Sequence, residues 1–280
     1  MALGSGSKNS VEAYLRRYAQ EWNGNVEGAW GQAGRLWHRF GRFLYWPYRW
    51  GVVAPFLGLS TLILAPMAVL LSVTVSPNLA SKTIATFWAR INSAVAPMWV
   101  GVRGREKVRK GTSYVVVANH LSHYDIYVLY GWLGLDIKWV MKKELERVPL
   151  IGWVCKSMGH IFIDRGDSAK AVATLHHARE KIQGGTSVIF FPEGTRSDDG
   201  SLQTFKKGAF RFAYDLGLPI LPVTLKGTRR ILPKGSTELM PGGVEMVIHE
   251  PVDVCAYGKE ELGAIVNRVR NTIRTELEDS

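Results

Sequence analysis

Cysteine is scarce in this chain: Cys155 and Cys255 are the only two in 280 residues. Neither belongs to a Cys-x-x-Cys pair or stands beside metal-spaced histidines, so neither a disulfide framework nor a zinc site is expected. A Gly-x-Ser-x-Gly elbow, a Walker loop and a dinucleotide fingerprint are all missing, which removes the common hydrolase, nucleotide-phosphate and hydride-transfer motifs. There is no internal repeat. The N-terminus has no early apolar stretch with a cleavage pattern, so it does not read as a secretory signal. Acidic residues are in deficit, 24 against 35 Lys and Arg, for a formal net charge of +11. Such a surface attracts anions: nucleic acid, acidic headgroups or phosphorylated substrates. The most informative absence is of charge itself, because no charged residue occurs from Trp50 to Ser81.

That run contains Val52–Val75, VVAPFLGLSTLILAPMAVLLSVTV. As one helix it would be roughly 36 Å long at ~1.5 Å per residue, enough for a hydrocarbon core. Pro55 and Pro66 each remove a helical hydrogen bond, so the segment is either a kinked span or two short helices dipping into one leaflet. Upstream, Met1–Ser10 is Gly/Ser-rich and expected to be disordered, and Val11–Trp22 has helical character. Between Arg35 and Trp50, aromatic rings alternate with arginines. That mixture suits the membrane–water interface, and would also stack on single-stranded nucleic acid. The charge-free run decides for lipid. Thr83–Val102 reads as a second interfacial or partly buried helix. Basic residues on both sides of the run (Arg35–Arg49 and Lys82–Arg90) favour a re-entrant pair with both ends cytosolic. Two regions follow: 1–103 for membrane anchoring and 104–280 for catalysis.

After Gly104 the texture becomes α/β. Short β-branched runs alternate with helical patterns, as in a crossover-connected sheet. The patterns predict strands near Tyr114–Ala118, Lys138–Met141, Ile161–Asp164, Ser187–Phe191, Ile220–Leu225 and Val244–His249. Helices are predicted near His123–Trp132, Ala169–Gln183, Lys207–Leu216 and Glu260–Glu278. The last places Leu262, Ile265, Val266, Val269 and Ile273 on one face.

Four stretches carry chemistry. In VVVANHLSHYD, His120 follows an apolar strand, Ser122 is placed to cap the next helix, and Asp125 falls in its first turns. An alcohol is a weak nucleophile at neutral pH; an imidazole can take its proton, and a carboxylate on the other ring nitrogen fixes the tautomer. A capping histidine with a surface aspartate is the plainer alternative. GHIFIDR ends a strand in Asp164 and Arg165, at the sheet edge where open α/β folds place ligands. In VIFFPEGTRS, Pro192 and Gly194 shape a tight loop and Arg196 offers a planar fork to phosphate oxygens. Glu193 either pairs with that arginine or binds a substrate hydroxyl. LPILPV brackets an apolar strand with Pro219 and Pro222 and reads as a structural wall.

The ordered set Asn-His-x4-Asp, Gly-x-Ile-Phe-Ile-Asp-Arg, Phe-Pro-Glu-Gly-Thr-Arg-Ser and a proline-bracketed strand resembles the glycerolipid acyltransferase family typified by 1-acyl-sn-glycerol-3-phosphate acyltransferase, over roughly residues 100–255. The resemblance implies an α/β fold with a mixed, largely parallel central sheet flanked by helices and an N-terminal hydrophobic membrane segment. It implies His120 as general base and Asp125 as its orienting acid. Lys142, Arg165, Glu193, Gly194, Thr195 and Arg196 would bind the substrate, the third block holding the glycerophosphate. Leu121 stands where the family often has Gln, at a variable position. No metal and no cofactor is expected; acyl-CoA or acyl carrier protein (acyl-ACP) would be the donor. The other partners would be lysophosphatidic acid and membrane lipid, without nucleic acid. The expected location is a bacterial inner membrane with the catalytic domain facing the cytoplasm. The resemblance implies transfer of an acyl group to the sn-2 hydroxyl of 1-acyl-glycerol 3-phosphate, with glycerol 3-phosphate or another lyso-lipid as the alternative acceptor. Two rival classes remain: an esterase using Ser122 with His120 and Asp125, and a non-catalytic basic protein binding membrane or nucleic acid.

Overall fold

In the computed structural model the described residues are 45–280 except 165, 167, 180, 181, 183, 279 and 280. The expectations for 1–10, 11–22 and most of the basic-aromatic stretch lie outside them. Residues Gly51–Ser280 form one compact unit.

Seven strands make its sheet: β1 (Met98–Arg103), β2 (Val115–Ala118), β3 (Asp136–Lys142), β4 (Ile161–Ile163), β5 (Thr186–Phe190), β6 (Ile220–Lys226) and β7 (Gly242–Ile248). Their order is β1-β7-β6-β2-β5-β3-β4, and every pairing is parallel except β6 with β7. Parallel strands need crossovers, and helices supply them. α1 (Ala54–Thr74) and α2 (Thr86–Val95) precede the sheet. α3 (Tyr124–Trp132), α4 (Ile151–Ser157), α5 (Ser168–His177), α6 (Gly208–Leu216) and α7 (Leu262–Glu278) follow among the strands.

The central strands are buried on both faces, so they are runs of β-branched residues without polar alternation. Val115, Val117, Val188, Phe190 and Ile220 pack with Leu175 of α5, Phe210 and Ala213 of α6, and Ile265, Val269 and Ile273 of α7. Val116, Ile189 and Leu221 project to the opposite face and are equally buried.

α1 is one continuous 21-residue helix: Pro55 sits in its first turn, and only Pro66 is internal. Of the two alternatives for this segment, two short helices are therefore excluded. The chain turns at Ser76, whose hydroxyl accepts the Asn78 and Leu79 N–H groups. It then returns through Pro77–Ala80 and a π-helical turn at Ser81–Ala85 into α2. The two arms are antiparallel: Ser60 bonds Asn92, and the Trp88 indole N–H donates to Thr61 Oγ1 at 2.9 Å.

The helix expected over Thr83–Val102 stops at Val95, and Met98–Arg103 is instead an edge strand paired with β7. Pro97 explains the break, because the residue before a proline is pushed out of the helical region. Beyond it, inward Met98 alternates with outward Trp99 at strand period. The sheet thus takes in residues on both sides of position 103.

Candidate active site

β2, β3, β4, β5 and β6 all run the same way, so the segments following them emerge at one carboxyl edge. Asn119 and His120 leave β2, and the Phe191–Ser197 loop leaves its neighbour β5. At the exit of β2 the buried Asn119 amide acts as a peptide group, donating to Leu225 O and accepting from Leu225 N–H on β6. This anchors the last residue before the histidine.

His120 Nδ1 lies 2.8 Å from Asp125 Oδ2. The same oxygen accepts the Leu121 N–H at 2.7 Å and the Ser122 N–H at 2.9 Å. Asp125 is fully buried, while the His120 side chain is 16% exposed. The geometry puts the proton on Nδ1, donating to the carboxylate, and leaves Nε2 with its lone pair. Among the described residues Nε2 has no hydrogen-bond partner. The ring is held flat against Phe191, centroids 3.8 Å apart and planes 8° from parallel.

The backbone of His120 is gripped from the β5 side. Its N–H donates to Glu193 Oε1 at 2.7 Å, and its carbonyl accepts the Ser197 N–H at 3.0 Å. Glu193 Oε2 accepts the Gln203 N–H at 3.0 Å. Both carboxylate oxygens are therefore committed to backbone. Glu193 makes no pair with Arg196 here; it is 4% exposed and acts as a strut behind the histidine. Burial pushes its carboxyl group above the ordinary range, against the opposing pull of the two N–H groups.

Gly194 closes a β-turn on Phe191 O with φ +76°, a conformation that favours glycine; Pro192 occupies the second position. Thr195 is exposed, and its carbonyl accepts the Gln203 Nε2 at 3.4 Å. Arg196 is half-buried and has no hydrogen bond or ion pair among the described residues. Its positive charge, after burial, helps hold the neighbouring His123 imidazole below its ordinary range. Arg196 therefore acts on His123, and no carboxylate pairs with it among the described residues.

Other expected residues fall elsewhere. Lys142 ends β3, is largely exposed, and pairs with Glu144 at 3.1 Å rather than with anything around His120. Arg165 lies outside the described residues. Ser122 accepts the Tyr124 N–H at 3.1 Å, in agreement with its expected capping role, and donates to Leu232 O at 2.7 Å. A hydroxyl whose proton goes to a carbonyl is not poised on His120, so the Ser122 triad is set aside.

Sequence reading missed Phe191 as the surface supporting the imidazole; its signal was the second phenylalanine immediately before Pro-Glu-Gly. It also missed the Asn119 clamp and the role of Gln203, which depend on pairings distant in sequence.

Fold and site define an α/β protein carrying a buried-carboxylate–histidine dyad at the carboxyl edge of a mixed sheet. Residues 100–226 match the family model described as Acyltransferase. The chain is 41% identical over 193 residues to a chloroplastic 1-acyl-sn-glycerol-3-phosphate acyltransferase of Brassica napus, covering 68% of this chain and 54% of that one. It is 29% identical over 189 residues to the 1-acyl-sn-glycerol-3-phosphate acyltransferase of Borreliella burgdorferi, covering 68% and 76%. It matches the crystal structure of the 1-acyl-sn-glycerophosphate acyltransferase of Thermotoga maritima with a TM-score of 0.69 at 28% identity, over 86% of this chain and 96% of that one. Over its α/β sheet the chain is similar to glycerolipid acyltransferases. It spans about half the length of the chloroplastic relatives it matches.

Proposed function

We propose that this protein transfers a fatty acyl group from a thioester, acyl-CoA or acyl-ACP, to the sn-2 hydroxyl of 1-acyl-glycerol 3-phosphate, giving phosphatidic acid. The observation that carries this reading is the dyad: an imidazole with one nitrogen fixed on a buried carboxylate and the other open. His120 Nε2 takes the hydroxyl proton as the oxygen attacks the thioester carbon. Asp125 stabilises the imidazolium that forms. The tetrahedral intermediate collapses, the C–S bond breaks, and the proton on Nε2 passes to the departing thiolate. The new bond is an ester, and the free thiol is the second product. Arg196 holds the acceptor phosphate. The thioester is already activated, so the reading uses no cofactor. The names of the relatives support this acceptor: the Brassica napus, Borreliella burgdorferi and Thermotoga maritima proteins are all named for 1-acyl-sn-glycerol-3-phosphate or 1-acyl-sn-glycerophosphate.

The acceptor is a lipid, and the fold supports a bilayer location. One helix, Tyr45–Thr74, is long and apolar enough to cross a membrane. Within it Leu59, Leu62, Ile63, Met67, Leu70 and Val73 are all exposed, whereas its packed face is small: Ser60, Ala65, Ala68 and Ser72. A soluble protein would bury the large residues and expose the small polar ones. The antiparallel return of α2 supports a re-entrant hairpin whose ends lie on the same side of a bacterial inner membrane, with the catalytic sheet on the cytoplasmic side.

The test is His120→Ala in the full chain, reconstituted with lysophosphatidic acid and each donor in turn, products identified by mass. Phosphatidic acid formation should vanish while thermal unfolding is preserved. Transfer near the wild-type rate removes the mechanism.

A further inference from the structure

The large exposed apolar side chains do not end with α1. A second group lies in the connection from β3 to β4. Leu145, Val148, Ile151 and Trp153 are 39%, 36%, 43% and 70% exposed, four within nine residues. Surface hydrophobics scattered singly need no explanation, but a clustered set does.

The backbone here is built to present them. Ile151 N–H reaches back to Pro149 O at 2.7 Å, closing a three-residue turn around Leu150. Leu150 stands at φ 66° and ψ −54° and is the sole non-glycine with positive φ among the described residues. That is the strained form of the γ-turn, kept only where the surroundings over-determine it. Gly152 secures it from below: its N–H bonds Val148 O at 2.8 Å, and any Cβ there would run into the Glu146 carbonyl oxygen. The strain ends in the first turn of α4, with Ile151 and Trp153 facing solvent.

Two observations identify what covers this surface. The first is continuity. The inner side of α4 is fastened to the α1 hairpin: Val154 and Met158 pack with Ala68 and Leu71 of α1 and with Ala80 and Ile84 of the returning arm. The exposed sides of α4 and of α1, where Leu70 and Val73 stand open, thus belong to one joined body. The second is charge. The connection carries Lys142, Lys143, Arg147 and Lys156 against Glu144 and Glu146, and both lysine–glutamate pairs at its rim are solvent-exposed. Apolar tips ringed by a basic excess match an anionic bilayer surface, where rings and aliphatic tips enter the acyl boundary and ammonium groups stay at the headgroups.

We infer that the Lys142–Lys156 connection is a second membrane contact, inserting Leu145, Val148, Ile151 and Trp153 into the leaflet that holds α1. The inference rests on the bilayer reading above. It has a consequence for the reaction. The connection begins at the carboxyl end of β3, the same sheet edge as His120. With α1 alone in lipid the sheet could swing about one attachment; with a second attachment at that edge, the dyad faces the headgroup layer in which the acceptor lies.

The experiment uses the full chain with Cys155→Ser and Cys255→Ser, a thiol fluorophore placed singly by Trp153→Cys, Leu70→Cys or Asp215→Cys. Each is added to vesicles of mixed zwitterionic and anionic phospholipid with nitroxide-labelled acyl chains. Fluorescence at 153 and 70 should drop by half or more relative to nitroxide-free vesicles, and at 215, on α6, should not change. Quenching at 70 without quenching at 153 overturns the inference and leaves α1 as the anchor. Quenching at neither overturns the inference and the bilayer reading together. Shielding of 153 from aqueous iodide in the absence of vesicles shows that protein, from this chain or a second copy, covers the patch, and also overturns the inference.

Discussion

Asp125→Asn separates what the carboxylate does by position from what it does by charge. In the native site one oxygen, Oδ2, accepts all three hydrogen bonds, from His120 Nδ1 and from the Leu121 and Ser122 N–H groups. The other, Oδ1, is buried without a partner. Asparagine can therefore keep its oxygen at the Oδ2 position, preserve all three contacts and the imidazole tautomer, and place its NH2 where Oδ1 stood. Stability should fall by about 1–3 kcal/mol for the buried unpaired NH2. The chemical step loses more. An imidazolium and a carboxylate ~4 Å apart attract by about 4 kcal/mol at an effective dielectric near 20. At 1.36 kcal/mol per tenfold in rate, kcat should fall by roughly a hundred- to a thousandfold, the larger figure being reached if the charge is fully formed in the transition state. KM for both substrates should hold, because neither touches Asp125 in the proposed mechanism. Transfer of labelled acyl chains to lysophosphatidic acid measures both constants, and thermal unfolding confirms the fold. A folded Asn variant with kcat within tenfold of wild type would refute the assignment of Asp125 as charge partner.

Glu193→Gln can satisfy only one of the two backbone N–H groups that the carboxylate accepts, so stability should drop by about 1–3 kcal/mol, with kcat reduced through a displaced His120; equal kcat would show that the strut is dispensable. Arg196→Lys keeps charge but loses the bidentate fork, and KM for the phosphorylated acceptor should rise about tenfold with kcat nearly unchanged, read from acceptor titrations at saturating donor. His160 is buried, its Nδ1 accepting the Trp139 N–H, and burial followed by the charge of Lys138 lowers its pKa to about 3. The unfolded chain takes up the proton first, so stability is present above about pH 6.5 and is lost as pH falls from there toward 3; the unfolding free energy should drop by about 2 kcal/mol more between pH 7 and 5 than in His160→Gln, and equal losses would refute this.

The parts of the fold legible in sequence were those where one pattern dominates. The buried strands β2, β5 and β6 announced themselves as β-branched runs, and the Ile265, Val266, Val269 and Ile273 stripe of α7 lies buried as its periodicity predicts. The edge strand β1 was lost because its residues also continue a helical stripe; only pairing with β7, 139 or more residues downstream, decides its conformation. The dyad was legible because both its members sit within six residues of one another. Glu193 was not, since its side chain looks like any loop carboxylate until the β2 and β5 exits are placed side by side.

That placement is what turns separate motifs into a site. His120 is bonded to the β5 loop at both ends of its own peptide frame, to Glu193 through its N–H and to Ser197 through its carbonyl, and Arg196 lies between those two anchors in sequence. The backbone that carries the proposed base is therefore tied to the loop that carries the proposed phosphate clamp by one backbone–backbone hydrogen bond, to Ser197, and by one to the buried Glu193 carboxylate. On the proposed mechanism, selectivity then depends on spacing: an acceptor is used when its hydroxyl reaches Nε2 while its phosphate lies within reach of the Arg196 side chain. A lyso-lipid that bears the phosphate beyond a bulkier headgroup would meet Arg196 with its hydroxyl out of reach of His120. It should act as a competitive inhibitor of lysophosphatidic acid and not as a substrate, and turnover of such a lipid at a comparable rate would contradict the rigid frame.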